Sequence, residues 1–360
     1  MGELCSIQSG KSDTKDAVLD GPYAFFDRSK TIKRSNRFIR DCEALIVPGE
    51  GTEFLPRHFR GKFDLHQRAY ALFNFSPRVE VRFLYYYLHH VSEYFPRVAV
   101  GATVKSLRLR HFKQLPVRLV DIEHQHRIVA ILDEAFEGIA TAKSHAEKNL
   151  RNARALLESQ TRSVFSRREE GWVERPLGDI GKVSMCKRVF KEQTTSKGEI
   201  PFYKIGTFGR EADAFISSKM YREYRGNYPF PKRGDVLISA AGTIGRRVIY
   251  DGDDAYFQDS NIVWIANDQT QVLNHYLYHF YGVCEWNSTR GATISRLYND
   301  NLRQIVIAFP SSLHEQLRIA TELDDLAGDA QRLKSIWRKK LLALDELKQS
   351  ILHQAFSGQL

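Results

Sequence analysis

QHRIVAILDEAFEGIATAKSHAEKNLRNARALLESQTRSVF, Gln125 to Phe165, is the stretch that decides the fold. Ile128, Leu132, Ala135, Ile139, Ala142, Ala146, Leu150, Ala153, Leu157, Gln160 and Val164 advance by alternating steps of four and three, with two consecutive fours around Ala146. Steps near 3.5 hold one seam against a partner helix, whereas a simple core face follows 3.6. Near the other end, Ile319, Leu323, Leu326, Ala330, Leu333, Trp337, Leu341, Leu344, Lys348, Ile351 and Ala355 repeat the pattern. The spacing predicts two long helices forming a coiled coil. At 1.5 Å per residue, some 44 residues make a rod of roughly 66 Å.

The two seams register on each other at one offset, since both 319 minus 128 and 355 minus 164 equal 191, and the irregular step recurs at Trp337 to Leu341. QHRIVAILDEAF at Gln125 matches QLRIATELDDLA at Gln316. The segments before each helix repeat more loosely. GELCSIQSGK at Gly2 pairs with GDIGKVSMCK at Gly178, EALIVPGEG at Glu43 with DVLISAAGT at Asp235, and HQRAYALFNF at His66 with FQDSNIVWIA at Phe257. RFLYYYLHHVSEYF resembles LNHYLYHFYGVCEW, and GATVKSLRL resembles GATISRLYN. The chain therefore reads as an internal duplication: a globule at 1–121, a helix at 122–170, a globule at 171–312 and a helix at 313–360. Within the globules short β-rich runs bounded by Gly, Pro or Asp alternate with Tyr-rich helical stretches, so each is a mixed α/β (α+β) module.

Of 360 residues, 42% are hydrophobic and 12% aromatic, enough to bury real cores. The longest apolar runs fall far short of the roughly 18 residues of a membrane span. The first ten residues lack the basic and apolar regions of a secretion signal, so the expectation is a cytoplasmic protein with no membrane partner. Cys5, Cys42, Cys186 and Cys284 stand singly, without zinc spacing or a disulfide framework.

The net charge of +10 is unevenly distributed. Residues 1–121 carry +7 and residues 171–312 carry +3, while both helical segments are neutral. Basic residues concentrated in globules point to a polyanion.

Motifs of chemistry are few, and each is incomplete. SGKS at Ser9 to Ser12 ends like a phosphate-binding loop, but Cys5 stands where the motif needs Gly, and the repeat partner reads SMCK. Gly2 and Ser6 fit an acylation pattern, yet Gly2 has a duplicate at Gly178 that is never amino-terminal, which favours a backbone role. No Asn or Asp precedes Pro-Pro and an aromatic, as base methylation would need. Glu346 and Lys348 lie within a heptad, and His89, His90 and His145 are unpaired with cysteines. The expectation is no catalytic residue, no metal and no cofactor.

What remains is a polyanion surface. DRSKTIKRSNRFIR supplies Arg28, Lys30, Lys33, Arg34, Asn36 and Arg37, followed by Arg57, Arg60, Gln67, Arg68 and Lys105. The second globule supplies Lys204, Arg210, Arg222, Arg225, the loop of Thr243 with Arg246 and Arg247, then Gln258, Asn261, Arg290 and Arg296. Such sets mix phosphate donors with side chains able to read base edges.

Taken together, EHQHRIVAILDEAF, HEQLRIATELDDLA, LKQSILHQAFSGQL, GPYAFFDRS, GEGTEFLPRHFRGKFDLHQRAY and GDVLISAAGTIG resemble the specificity (S) subunit of type I restriction-modification systems, over nearly the whole chain. That resemblance implies two target recognition domains, each reading one half of a split site in double-stranded DNA. It implies that the helices pair antiparallel, with pseudo-twofold symmetry, to hold the domains apart and dock modification subunits, and that a restriction subunit joins through the complex. S-adenosylmethionine and ATP would belong to those partners. GWVERPL at Gly171 to Leu177 has no counterpart before Gly2, so the first globule is expected to lack an edge segment. The competing reading is a coiled-coil interaction scaffold without DNA specificity.

Overall fold

The computed structural model describes residues 1–286, the backbone of 289–290 and 295–296, and residues 297–360. In chain order the first globule contains β1 (Ser6–Ser9), β2 (Tyr23–Phe26), β3 (Lys33–Ser35), β4 (Arg40–Pro48), β5 (Arg57–Leu65), β6 (Ala69–Phe73), α1 (Val81–His90), α2 (Tyr94–Val98) and α3 (Leu109–Lys113). The long helix α4 (Ile122–Phe165) follows. The second globule contains β7 (Trp172–Pro176), α5 (Leu177–Ile180), β8 (Gly181–Ser184), β9 (Ile200–Tyr203), β10 (Phe215–Ile216) and α6 (Ser218–Asn227). It continues with β11 (Val236–Ser239), β12 (Arg247–Ile249), β13 (Tyr256–Phe257), β14 (Ile262–Asn267), α7 (Asn274–Phe280), β15 (Thr289–Arg290), β16 (Ser295–Arg296), α8 (Asn299–Gln304) and β17 (Val306–Pro310). The second long helix, α9 (Leu313–Ser357), ends the chain.

The chain divides into two compact units, residues 1–148 with 338–360 and residues 149–337. In the first, the sheet order is β1-β6-β4-β5-β2-β3, antiparallel except for β2 beside β5. Leu45, Val47 and Leu72 face α1 and pack on Leu84 and Leu88. Ala44, Ile46 and Phe73 pack on the other side with Phe26 and Phe63. The outer side of α1 sends Phe83 and Tyr86 onto Ile128, Val129 and Leu132 of α4 and Leu352 and Ala355 of α9. Within this unit the helices run antiparallel: Lys348 lies over the Phe136 ring and Lys143 bonds Asp345, so numbers rise along one helix as they fall along the other. Leu132 is fully buried, which makes its truncation worth about 2–5 kcal/mol.

The second unit repeats the plan as β8-β14-β11-β12, while β10-β9-β13 forms a separate sheet that keeps one parallel pairing. Phe165 of α4 and Ile319 and Leu323 of α9 join its core, as Phe356 and Ile128 do in the first. Phe165 and Phe356 are 191 apart, the offset of the seams. Two details depart from the sequence reading. Leu333 is 42% exposed, and Lys334 is the more enclosed of the two neighbours. Aligning EALIVPGEG with DVLISAAGT puts Leu45 on Leu237, yet Leu237 faces away from α7 with Trp264, and Val236 and Ile238 take the helix-facing role. A one-residue slip exchanges faces of a strand.

The ends of the two globules differ. In the second, β7 pairs with β17, and the Leu177 amide donates to Ile305 O at 2.8 Å. In the first, the Met1 amine donates to Leu115 O at 2.8 Å, and residues 115–119 lie outside any strand. Gly2 and Gly178 share a cause: a Cβ would come within 3.2 Å of the Lys113 side chain or 3.1 Å of Arg303. SGKS is likewise structural, since a Cβ on Gly10 would overlap Leu65 O.

Candidate nucleic-acid interface

Two buried carboxylates shape the basic run of the first globule. Asp64 accepts from Ser12 Oγ at 2.7 Å, Ser35 Oγ at 3.1 Å and Arg37 Nε at 3.3 Å. Arg37 also reaches Asp16 at 2.8 Å. Asp27 accepts from Lys33 Nζ at 2.6 Å and from the amide and hydroxyl of Ser29. Burial pushes the Asp27 carboxyl up, but the bonds from Lys33 and Ser29 outweigh it and hold the group below the usual range. Arg34 Nε donates to Gly21 O at 2.7 Å. Lys33, Arg34 and Arg37 therefore fold the loop, while Arg28 and Asn36 stand exposed on it.

The β4–β5 loop gathers further basic residues. Gly51, at φ +131°, turns it so that its amide meets Lys105 O at 3.0 Å. Glu50 accepts from Arg68 at 2.9 Å, and Glu53 from Lys30 at 2.9 Å. Arg57, at the loop's end, donates to Ser29 O. Gln67 lies elsewhere, donating to Asp13 at 3.2 Å. Arg60 is exposed on β5 opposite Glu43. Among the described residues, Arg28, Arg60 and Lys105 have no ion pair, and an exposed cation without a partner is free to meet a phosphate.

In the second globule the segment Lys204 to Asp213 plays the gathering role. Lys204 pairs with Asp213 at 2.8 Å, Gln258 Oε1 accepts from the Ile205 amide at 3.0 Å, and Arg246 donates to Phe208 O at 2.9 Å. Arg210 is exposed on the same segment. On α6, Arg222 donates to Ser218 O at 3.3 Å and Arg225 to Tyr221 Oη at 2.7 Å and Asp254 at 3.3 Å. Thr243 is exposed at the tip of a turn in which Gly242 and Gly245 take φ of +66° and +82°. Ser239 staples that turn, donating to Thr243 O at 2.6 Å and accepting from the Arg246 amide at 2.8 Å. Asn261 O accepts from the Ala240 amide at 2.8 Å. Arg290 and Arg296 lie outside the residues whose side chains are described.

Arg246 and Arg247 part company. Arg247 sits opposite Ile238, on the face toward α7, with its guanidinium 4.5 Å from the Tyr278 ring. It joins Arg154, Thr161, His279, Asp324 and Lys334 around a depression rather than the outer loop surface.

The residues that seat each globule on its helix escaped the sequence reading. Gln125 and Gln316 are fully buried. Gln125 Oε1 accepts from the Glu80 amide at 2.9 Å, and its Nε2 donates to Arg78 O and Val120 O at 2.9 and 2.8 Å. Gln316 does the same with Leu273 N at 2.9 Å and Gln271 O and Pro310 O at 2.8 Å each. Eight residues on, Asp133 bonds Arg82 at 2.6 Å and the Tyr86 hydroxyl, while Asp324 bonds His275 at 2.6 Å and His279 at 2.9 Å. The repeated glutamine in QHRI and QLRI and the H-x-x-x-H of LNHYLYHF were the available signals.

Burial pushes the thiol of Cys5 up to about 11 and those of Cys186 and Cys284 up to about 12, which makes them poor nucleophiles. No helix among the described residues is long and apolar enough to cross a membrane.

Comparison with known proteins fits this duplicated plan. A family model described as the type I restriction modification DNA specificity domain matches residues 1–150 and again 169–337. A putative type I restriction enzyme specificity subunit of Haemophilus influenzae is 44% identical over 295 residues, which is 80% of this chain and 75% of that one. A solved structure reported for complex assembly and conformational transition of a type I R-M system covers 100% of this chain and 97% of its own, with TM-score 0.75 at 16% identity. The HsdS subunit from Thermoanaerobacter tengcongensis gives 0.56 at 17% identity, covering 100% and 96%. With the family domain matched in both halves and a close relative along most of its length, the chain belongs to the family of type I restriction-modification specificity subunits.

Proposed function

We propose that each globule reads one half of a bipartite site in duplex DNA, and that residues 1–121 and 171–312 are the two target recognition domains. The observation that carries this reading is the match of the DNA specificity domain to both halves, over globules that share a framework but expose different basic residues. Different surfaces read different half-sites. The antiparallel helices set the gap between half-sites and dock modification subunits. Methyl transfer and cleavage belong to those partners and to a restriction subunit, in the cytoplasm, so the chain contributes no catalytic group.

Within the first globule the contacts fall to Arg28, Asn36, Arg60 and Lys105, and within the second to Arg210, Arg222 and Thr243. Lys30, Arg57, Arg68, Lys204, Arg225 and Arg246 reach DNA by exchanging a partner on the protein for a phosphate. Lys33, Arg34, Arg37, Gln67, Gln258 and Asn261 hold the loops. Replacing Arg28, Arg60 and Lys105 together by Ala should weaken duplex binding and flatten the salt dependence by roughly one unit for each phosphate no longer neutralised. Replacing Arg332 and Lys334 should leave both unchanged. A triple variant with unaltered affinity and salt slope would remove these residues from the interface.

The spacer role has its own test. Four residues added near Leu150 lengthen the helix by about 6 Å, close to two base-pair steps of roughly 3.4 Å. The methylated sites should keep their half-sites and gain one or two base pairs between them. An unchanged gap at full activity would leave the helices with docking alone.

A further inference from the structure

The joint of the second globule holds a chemistry that the first does not. His275 and His279 stand one turn apart on α7, so both rings project from the same side of the helix. Their Nε2 atoms converge on one carboxylate of α9: His275 on Asp324 Oδ2 at 2.6 Å and His279 on Oδ1 at 2.9 Å. The three residues each offer a ligand atom within 4.8 Å of the others. At the equivalent place in the first globule, Arg82 and Tyr86 hold Asp133, and neither can ligate a metal as a neutral nitrogen donor.

We propose that His275, His279 and Asp324 bind a divalent transition metal of the zinc, cobalt or nickel class. Two imidazoles and a carboxylate suit borderline ions, whereas magnesium and calcium prefer oxygen alone. Bond lengths near 2.0–2.2 Å bring the donors of one metal to about 3 Å from one another, so the present arrangement needs only a modest closing of side chains. The existing bonds to Asp324 already aim the right nitrogens, and ligand orientation is half of what such a site requires. His279 is buried and fixed, while His275 and Asp324 are part-exposed, which leaves the outer side open to an incoming ion and to water as the remaining ligands. Bound there, the metal ties α7 to α9 and stiffens the seat of the second globule alone. Metal binding at this joint is independent of DNA reading and is measured without DNA.

The full chain, freed of metal, is titrated with cobalt(II) while visible absorption is followed, and with zinc(II) by calorimetry. The expected result is one tight equivalent at micromolar or lower dissociation constant, with a cobalt spectrum showing nitrogen ligation. His279→Gln and Asp324→Asn should each weaken binding at least tenfold, and His275→Gln, at a more exposed position where folding is safe, should do so as well. Asp133→Asn, which breaks the equivalent joint, should leave metal binding unchanged. Absence of a tight equivalent in the wild type, or its persistence in a His275→Gln, His279→Gln double variant, would overturn the proposal.

Discussion

The two globules agree where they meet the helices and differ where they face outward, and that contrast shows what the duplication kept. Gln125 and Gln316 make the same three bonds to backbone groups at equivalent places. Phe165 and Phe356 repeat at the seam's offset. By contrast, the outer loops share neither cations nor their anchors: Asp27 and Asp64 organise the first, whereas Ser239, Gln258 and the carbonyl of Phe208 organise the second. A scaffold that fixes the seat and frees the surface lets the two globules diverge while keeping their common mounting.

Contacts between the sheets and the short helices also differ between the globules. In the first globule His58 on β5 lies 6.4 Å from the Tyr85 ring, and the His89 ring meets the same tyrosine edge-on at 4.7 Å. In the second, Arg247 stacks on Tyr278, and a Cβ on Gly282 would come within 2.4 Å of its guanidinium. The long cation takes the room that a side chain at Gly282 would need. Among the described residues, Arg247 Nε and His89 Nε2 both end buried without a hydrogen-bond partner.

The largest effect should come from the shared joint. Replacing Gln125 or Gln316 by Leu strands one buried amide and two buried carbonyls, at about 1–3 kcal/mol for each unsatisfied group. Each variant should unfold at markedly lower urea, and by similar amounts. A costly Gln125→Leu beside a harmless Gln316→Leu would break the equivalence of the two seats.

A smaller effect should belong to the first globule alone. Burial pushes the His89 imidazole from 6.5 down to about 4, with Lys348 nearby adding to the shift. The folded state therefore favours the neutral ring: the contribution is fully present above pH 6.5 and is lost as pH falls toward 4. A shift of that size corresponds to about 3 kcal/mol. Urea midpoints of wild type and His89→Leu should converge or cross as pH drops from 7 to 4.5, with the variant gaining relative stability. Parallel curves would show that the His89 imidazole takes up its proton equally in the folded and unfolded states, against the burial argument.

Much of the architecture was legible because helices write their period into the sequence. The offset of 191 located both seams, and each lies on one continuous helix, Ile122–Phe165 and Leu313–Ser357. Strand faces were less legible, since matching EALIV to DVLIS by residue type misses the one-residue slip that puts Leu237 and Leu45 on opposite faces. Leu333 fitted the heptad by type, yet Lys334 is the more enclosed side chain there, because a long stem can bury its carbons as Leu does. Charge was the least legible. In DRSKTIKRSNRFIR the basic residues read alike, yet the fold pairs Lys33 with Asp27 and Arg37 with Asp64 and Asp16. Pairing with a buried carboxylate depends on strand register, which composition does not carry.

Exchange of one globule tests the proposed separate reading of the two half-sites most directly. Residues 171–312 are replaced by the same segment of a relative with a different specificity, the chain is expressed with its modification partners, and methylated positions are mapped across the genome. One half-site should change while the other half-site and the gap between them stay as they were. A site altered in both halves, or unaltered in either, would contradict the claim that the two globules read separately.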